Sequence, residues 1–397
     1  MSVDLSTGSV PPRVAFYNDP KVRSIAYQVA LCAIIVFLIY GAATNAIDNL
    51  ERAHIASGFG FWDNTAGFDI SQTLIHFSSQ SSSYGRAFWV GLLNTLLVAG
   101  LGIVFATILG FIIGIARLSN NWLVARTASG YVEIIRNLPL LLQLLFWYNA
   151  VLKALPAIRD SLHFPGGALL NNRGLYLPLP VVKTGFGAVE IVFVVGIVAS
   201  VAFYVWARKR QEQTGEQAPV LWVALALIVG LPLVVFAIAG FPLSFEFPEA
   251  GRFNISGGIE VLPEFAALLF GLTIYTAAFI AEVVRAGILA VSRGQTEAAY
   301  SLGLRPGPTL RLIVVPQAMR VIVPPLTSQY LNLTKNSSLA VAIGYPDLVQ
   351  VFTGTVLNQT GQAVEVVAIT MLVYLTISLT TSLLMNIYNS RIALVER

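Results

Sequence analysis

The sequence predicts an all-α integral membrane protein that crosses the bilayer about eight times. Apolar residues make up 56% of its 397 residues, charged residues only 11%, and the mean hydropathy is +0.74. A soluble globule carries about 25% charged residues, so this chain has too few charges to coat a surface that faces water. Most of the chain must therefore lie in lipid.

Eight apolar windows come near the length of about 20 residues that a helix needs to cross the hydrocarbon core. The windows are residues 24–45, 87–116, 138–152, 188–207, 219–240, 263–290, 317–335 and 363–388. The third window is short, but its helix can begin earlier, near Trp122, at the cytosolic interface. The first window is interpreted as an uncleaved helix, because the segment before it is longer than that of a signal peptide and contains Asp4 and Asp19.

The distribution of lysine and arginine predicts the orientation of the chain. With the N-terminus in the cytosol, 16 of the 24 Lys and Arg residues fall on inside segments, seven fall outside, and Lys335 lies within a span. Cytosolic loops carry the excess of positive charge in membrane proteins. Both termini, and the segment around Glu297, are therefore expected in the cytosol.

Several kinds of site find no support in the sequence. The single cysteine, Cys32, cannot form a disulfide within the chain, and His54, His76 and His163 are too scattered for metal-ligand spacing. The basic residues sit at the ends of apolar runs and form no continuous basic face, which argues against a nucleic-acid partner. The sequence therefore predicts no catalytic residues and no metal site.

A polar segment, residues 292–304, interrupts the apolar pattern and predicts a helix of about ten residues. Glu297 would lie near its N-terminal end, where the helix dipole favours a carboxylate. Ala298 and Ala299 would allow another backbone to approach closely, and Gly303 can end the helix in a left-handed conformation. Any interfacial loop helix could look like this, but docking of a partner protein is the favoured interpretation.

The spacing of the residues in and after this segment resembles a motif of a known protein family. The segment contains Glu297-Ala298-Ala299, then Gly303 after three residues, and Ile313-x-Val315-Pro316 after nine more. This spacing resembles the E-A-A-x3-G-x9-I-x-L-P loop of permease subunits of binding-protein-dependent ABC importers. It departs only at Val315, where leucine is usual.

Further segments narrow the resemblance to one class. Residues 133–143, 281–288 and 333–339 are similar to polar amino acid permeases of the histidine/glutamine class. The extra first helix, the long first outside loop and the two inserted spans resemble the Q-type permeases of the general L-amino-acid and glutamate/glutamine/aspartate/asparagine transporters of alphaproteobacteria.

The resemblance implies a type I ABC importer permease fold in a bacterial inner membrane. Residues 1–85 would form the cytosolic tail, first helix and periplasmic loop; residues 86–390 the permease domain, with an insertion at about 153–260; and residues 292–309 the coupling helix region. Because the chain contains no Gly-Lys dipeptide, it has no Walker A loop, and ATP with Mg²⁺ would bind to a separate ATPase.

The resemblance also implies the partners. The coupling helix would insert into a cleft of an ABC ATPase dimer through five residues: Gln295, Glu297, Ala298, Ala299 and Gly303. A second homologous permease would complete a heterodimer, and a periplasmic amino-acid-binding protein would deliver the L-amino acid.

Polar residues in the apolar spans are candidates for a substrate pathway, because ionisable groups in membranes usually face the bundle interior or a water-filled path. The proposed pathway residues are Gln329, Asn332, Lys335, Asn336 and Ser337. Lys335 could bind the carboxylate of an amino acid, or it could extend to the outer interface without touching substrate. Other polar residues in or beside spans are Asn94, Thr95, Gln143 and Glu282.

Two pairs of opposite charges, Glu133 with Arg136 and Glu282 with Arg285, have i,i+3 spacing near the cytosolic boundary. Residues at this spacing share a helix face, so local ion pairing is the simplest interpretation and a gate the less favoured one.

Two other functional classes compete with the importer permease. An ion-coupled secondary carrier should show inverted repeats or coupling carboxylates at mid-membrane, and only Glu282 comes close, at the end of a span. An intramembrane enzyme would need a motif such as HExxH or GxSxG, and neither occurs.

Overall fold

The computed structural model describes residues 20–52, 57–251 and 254–392. Within these ranges the chain is a set of long helices with short strands inserted on one side. The N-terminal tail, residues 1–19, for which a cytosolic position is predicted, lies outside the described residues, as does His54.

Thirteen α-helices occur in the described ranges. They are α1 (Pro20–Arg52), α2 (Tyr84–Ala116), α3 (Trp122–Asn137), α4 (Leu140–Leu145), α5 (Phe186–Thr214), α6 (Val220–Leu225), α7 (Leu231–Ile238), α8 (Pro263–Leu289), α9 (Arg293–Ser301), α10 (Pro306–Thr309), α11 (Val315–Asn336), α12 (Leu357–Thr360) and α13 (Ala363–Ile392). Turns of π-helix lie at Phe146–Leu152, Ala226–Gly230, Leu310–Val314 and Val349–Val356, and turns of 3₁₀-helix at Gly60–Asp63, Ile158–Asp160 and Ser337–Ile343.

The structure supports the predicted number of spans. Among the described residues, seven helical segments are long and apolar enough to cross a membrane, and the bent pair Trp122–Asn137 and Leu140–Leu152 makes an eighth if it counts as one span. The two halves of that pair meet at 104°. A helix does begin at Trp122, but it does not continue into the third window as predicted, because it ends at Asn137, just before Leu138 and Pro139.

A stripe of small residues places α2 directly against α8. Gly102, Ala106, Gly110 and Gly114 recur every fourth position and lie on one face of α2. A Cβ atom added at Gly110 would lie 2.5 Å from the Ile280 side chain, and one at Gly114 would lie 2.8 Å from the Ala281 carbonyl oxygen. Such small-residue contacts allow helices to pack closely in membranes, where lipid gives no hydrophobic drive for association.

The insertion between the bent pair and α8 contains β-structure, where the sequence analysis had predicted only loops and two extra spans. The strands are β1 (Leu162–Phe164), β2 (Ala168–Asn171), β3 (Gly174–Leu177), β4 (Leu179–Val182), β5 (Leu243–Glu246), β6 (Glu249–Ala250), β7 (Ile255–Ser256) and β8 (Ile259–Val261). One antiparallel sheet has the order β1-β2-β3-β8, and β4-β5 and β6-β7 form separate pairs. Strands of two to four residues are too short for an alternating pattern to stand out in the sequence.

The two inserted spans form a hairpin that packs mainly on itself. Helix α5 contacts α6, α7 and the π-helical turn between them. The helices pack closely at Gly196, where an added Cβ atom would lie 2.3 Å from the Leu227 carbonyl oxygen. Helix α1 is also separate from the bundle, since none of its apolar window is buried.

The loop between α1 and α2 folds back onto the bundle through aromatic side chains. Phe61 is 4% exposed and its ring centroid lies 6.3 Å from that of Phe352. The Trp62 and Phe88 rings are 5.2 Å apart. This loop is therefore packed against the ends of α2 and the segment before α13.

The close α2–α8 contact predicts that a large side chain on this face of α2 lowers the stability of the protein. Gly110→Leu should lower the thermal unfolding temperature of the purified protein by several degrees, because overpacking costs about 1–3 kcal/mol. The matched control is Gly100→Leu on the same helix, where an added Cβ meets nothing within 4 Å. Thermal melting in detergent, followed by tryptophan fluorescence, measures both variants; equal melting temperatures would show that the glycine stripe does not set the packing.

Candidate functional site

The polar segment forms the helix α9, of nine residues. Gly303, with φ +76°, ends it: the Leu304 N–H donates to the Ala299 carbonyl at 3.1 Å and the Gly303 N–H to the Tyr300 carbonyl at 2.9 Å. This pair of bonds is a Schellman motif, which satisfies the last carbonyls of a helix and needs a left-handed residue. The terminating role expected of Gly303 is thus observed.

Two details of α9 differ from the expectation. Glu297 is not in the first turn, which contains no acidic residue, so the helix dipole does not explain its position. Ala299 is only 1% exposed, so its methyl group contacts its own chain and cannot give a close fit to a partner. Of the two alanines, Ala298 is the one that α9 presents outward.

The outer face of α9 is open for contact. Gln295, Glu297 and Ala298 are exposed, and within the described ranges no hydrogen bond or ion pair reaches the Glu297 carboxylate. The exposed apolar residue Leu302, at 82%, lies beside this face. The Gln317 amide donates to the Gln295 side-chain oxygen at 3.3 Å and ties α9 to the start of α11.

An ion cluster lies where α2, α3 and α8 meet, close to the point at which the chain leaves α8 for α9. The Glu282 carboxylate accepts from Arg285 at 3.1 Å and from Arg136 at 3.5 Å, and it also bonds the Arg117 guanidinium. The predicted Glu282–Arg285 pair is therefore present. The predicted Glu133–Arg136 pair is not, because Arg136 extends to Glu282 on the neighbouring helix.

Three arginines thus share one carboxylate across three helices. The Arg117 side chain is 10% exposed and also donates to the Ser129 hydroxyl at 3.4 Å, while Arg136 lies over the Phe279 ring. Loss of the Glu282 carboxylate would leave three arginine side chains without this shared partner, whereas loss of one arginine would leave the carboxylate with two. The cluster therefore joins the three helices at this end of the bundle.

Three of the polar residues predicted in spans serve the structure of the bundle. The Asn94 amide donates to the Gln72 and Pro346 carbonyls, both at 2.9 Å, and the Thr95 hydroxyl accepts the Leu348 N–H at 3.0 Å. The Gln143 amide donates to the Ile135 and Leu138 carbonyls at 3.0 Å, across the break between α3 and α4. These side chains satisfy backbone groups that the helix breaks leave free.

The proposed pathway residues do not all share one environment. Lys335 and Asn332 are exposed on α11, and Gln329 and Asn336 are partly buried. Ser337 is fully buried, and its hydroxyl donates to the Thr334 carbonyl at 2.7 Å. Ser337 therefore acts in packing, whereas Lys335 and Asn332 face outward.

Asp347 is a residue that the sequence analysis missed. It is fully buried at the N-terminus of the helical segment after Pro346, where its carboxylate accepts the Gln350 N–H at 2.8 Å and the Tyr374 hydroxyl at 3.3 Å. Burial raises the pKa of the Asp347 carboxyl to about 7, against the opposing effect of these hydrogen bonds. An aspartate directly before an apolar helix is an N-cap signal, which could have identified its position but not its burial.

The raised pKa of Asp347 predicts a pH dependence of stability. Because this pKa lies above its ordinary value of 3.8, the folded protein keeps a proton that the unfolded chain releases. The resulting stabilisation is complete below about pH 4 and is lost as the pH rises through about 7, and it amounts to about 4 kcal/mol at most. We expect the melting temperature of the wild type to fall relative to that of Asp347→Asn between about pH 5 and pH 8. Parallel melting profiles over this range would contradict the prediction.

Comparison with known proteins finds a matching family model and relatives that align over nearly the whole chain. The model of the family described as binding-protein-dependent transport system inner membrane component matches residues 213–394. The chain is 56% identical to the general L-amino acid transport system permease protein AapQ of Rhizobium johnstonii, over 97% of this chain and 96% of that one. It is 43% identical to the glutamate/glutamine/aspartate/asparagine transport system permease protein BztB of Rhodobacter capsulatus, over 99% of this chain and 100% of that one.

Among solved structures, the chain is similar to a crystal structure of an amino acid ABC transporter with histidines. The TM-score is 0.46 at 23% identity, covering 78% of this chain and 95% of that one.

Proposed function

Because the chain belongs to the family of inner-membrane components of binding-protein-dependent transport systems, we propose that it is the permease subunit of an ATP-driven importer of L-amino acids. The chain would form part of the membrane path, and it would move substrate by alternating between inward-open and outward-open states. ATP and Mg²⁺ would bind to a separate ABC ATPase dimer.

The observation that carries this proposal is the exposed face of α9. Its Glu297 carboxylate has no partner among the described residues, and exposed Ala298 and Leu302 lie nearby. A compact helix end with a free charge and accessible apolar surface is suited to insertion into a cleft that supplies a basic group. In the proposed complex that cleft belongs to the ATPase, with Glu297, Gln295, Ala298 and Gly303 at the contact.

The connections of α9 support its role in coupling. Three residues separate it from α8, and the Gln295–Gln317 bond joins it to the start of α11. The cluster around Glu282 joins α8 to α2 and α3 at the same end. A displacement of α9 by the ATPase would therefore be passed to α8 and α11, and through α8 to α2 and α3.

The proposed substrates are L-amino acids of broad, or acidic and amide, specificity. This proposal rests on the two relatives named for general L-amino acids and for glutamate, glutamine, aspartate and asparagine. The candidate pathway in this subunit is the outward-facing part of α11 with Gln329, Asn332, Lys335 and Asn336.

The proposed assembly places the chain in a bacterial inner membrane with both termini in the cytosol. A second homologous permease would complete a heterodimer, and a periplasmic amino-acid-binding protein would present the substrate. The charge asymmetry of the loops supports this orientation, since the segment around Glu297 then faces the compartment that holds ATP.

Reversal of charge at Glu297 tests the proposal. Glu297→Lys should leave the amount of protein in the membrane unchanged but reduce amino acid uptake by at least about 10-fold, because a buried interfacial charge of the wrong sign costs several kcal/mol. The measurements are uptake of radiolabelled amino acid in cells and recovery of the ATPase with the affinity-tagged permease.

The matched control is Glu212→Lys, which reverses an exposed acid near the end of α5, on a segment with the same predicted cytosolic position. This control should keep both uptake and ATPase recovery, since exposed ion pairs contribute little. Uptake and ATPase recovery that are as high in Glu297→Lys as in the control would refute the assignment of α9.

A further inference from the structure

The four-stranded sheet β1-β2-β3-β8 has one face that consists only of apolar side chains. Residues paired directly across antiparallel strands lie on the same face, as do residues two apart on one strand. By the observed register, one face carries eight residues: Leu162, Phe164, Ala168, Leu170, Leu175, Leu177, Ile259 and Val261. We refer to these eight residues as the apolar sheet face.

The apolar sheet face is uncovered within the part of the chain that the structure describes. None of its residues is buried, and four of them are between 38% and 46% exposed: Leu162, Phe164, Leu177 and Ile259. Soluble proteins rarely expose a contiguous apolar patch, so a patch of this kind marks contact with another apolar surface.

The opposite face of the sheet holds polar side chains and is turned toward the protein. Leu169 and Tyr176 on this face are only 3% and 7% exposed. The Tyr176 hydroxyl donates to the Glu260 carboxylate at 2.7 Å, between β3 and β8. An antiparallel sheet with one face in water has its polar residues on that face and its apolar residues against the core. This sheet has the reverse arrangement, as in proteins whose outer surface contacts lipid.

The sheet lies next to the ends of membrane spans. Only Leu262 separates β8 from α8, which is one of the apolar spans. Only Pro178 separates β3 from β4, and three residues separate β4 from α5, the first span of the inserted hairpin. The sheet is therefore held at the membrane boundary, at the end of α8 that is opposite to α9.

The β4–β5 pair has an apolar, unburied face of its own. Pro180 pairs with Phe245, and Val182 pairs with Leu243, so these four side chains share one face of the pair. None of them is buried. The pair continues directly into α5 and α7, which expose most of their apolar surface. An apolar surface therefore extends from the inserted hairpin toward the sheet.

We propose that the apolar sheet face rests on the lipid bilayer, on the side of the membrane opposite to α9. The occupant is lipid because the β4–β5 pair, with its own apolar face, connects this sheet to the inserted hairpin, whose exposed apolar surface lies in the membrane. This inference uses only the membrane position of the chain and does not require the proposed transport function.

The backbone of the sheet sets the depth of this contact. Open sheet edges carry unpaired N–H and C=O groups and do not occur in hydrocarbon, and β1 forms such an edge. The backbone therefore stays at the level of the lipid headgroups, and side chains such as Phe164 reach about 5–10 Å into the boundary with the acyl chains. Because one residue links the sheet to α8, the contact fixes the height of that end of α8 in the membrane.

Spin labels at single cysteines test the proposal in the assembled permease–ATPase complex, reconstituted in vesicles of phosphatidylethanolamine and phosphatidylglycerol. Because Cys32 is the single cysteine of the chain, Cys32→Ser provides the background, and its signal without an added cysteine is subtracted. At Phe164→Cys and Ile259→Cys, collisions with oxygen, which concentrates in lipid, should exceed collisions with a water-soluble nickel chelate at least about threefold, because lipid excludes the polar chelate.

The matched control is His163→Cys, which is adjacent in the chain, exposed and on the opposite face of β1. Its label should collide more with the nickel chelate than with oxygen. Low access of both reagents at Phe164→Cys and Ile259→Cys would show that a protein subunit covers the face, and high access of the nickel chelate would show that the face is in water. Either result would overturn the proposal.

The depth of the contact is measured with brominated lipids. A fluorophore attached at Phe164→Cys should be quenched more strongly by lipids with bromine near the headgroup end of the acyl chain than by lipids with bromine near its methyl end. A fluorophore at His163→Cys should show little quenching by either lipid. The absence of quenching at Phe164→Cys, or stronger quenching from the methyl end, would refute the interfacial position of the sheet.

Discussion

The contact between α2 and α8 is the constraint on which the rest of the bundle depends. Lipid gives no hydrophobic drive for helix association, so close backbone approach must supply the attraction. Gly110 and Gly114 allow that approach to α8, while Gly102, on the same face of α2, lies against Leu333 of α11. This face of α2 therefore sets how closely α2 and α8 pack.

The two ends of α2 carry the polar groups that this contact brings into place. Arg117 follows Gly114 by three residues, and the close packing puts its guanidinium at Glu282 of α8. At the other end, Gly91 lies against the backbone of Asp347 and Leu348, so that Asn94 and Thr95 reach the backbone of the following segment. One helix therefore connects the ion cluster near α9 with the buried polar group around Asp347.

The helices outside this bundle differ from it in how much of their surface is buried. Helix α1 and the α5–α7 hairpin expose most of their apolar surface, and the hairpin packs chiefly on itself. The strands of the insertion satisfy their backbone groups in small antiparallel pairs and one four-stranded sheet, which suits a segment outside the hydrocarbon. The parts that connect α9 to the proposed pathway therefore lie in α2, α8, α11 and α13.

The sequence by itself determined the membrane class, the approximate number of spans, and the helix that carries Glu297, because length, hydropathy and a terminating glycine are local properties. The tertiary structure decided which side chains meet. The sequence could not show that Arg136 would pair with Glu282 and not with Glu133, that Ala299 would face inward, or that Asp347 would be buried. Each outcome depends on a neighbour distant in the chain, and the packing of the helices selects that neighbour, not the local sequence around the residue itself.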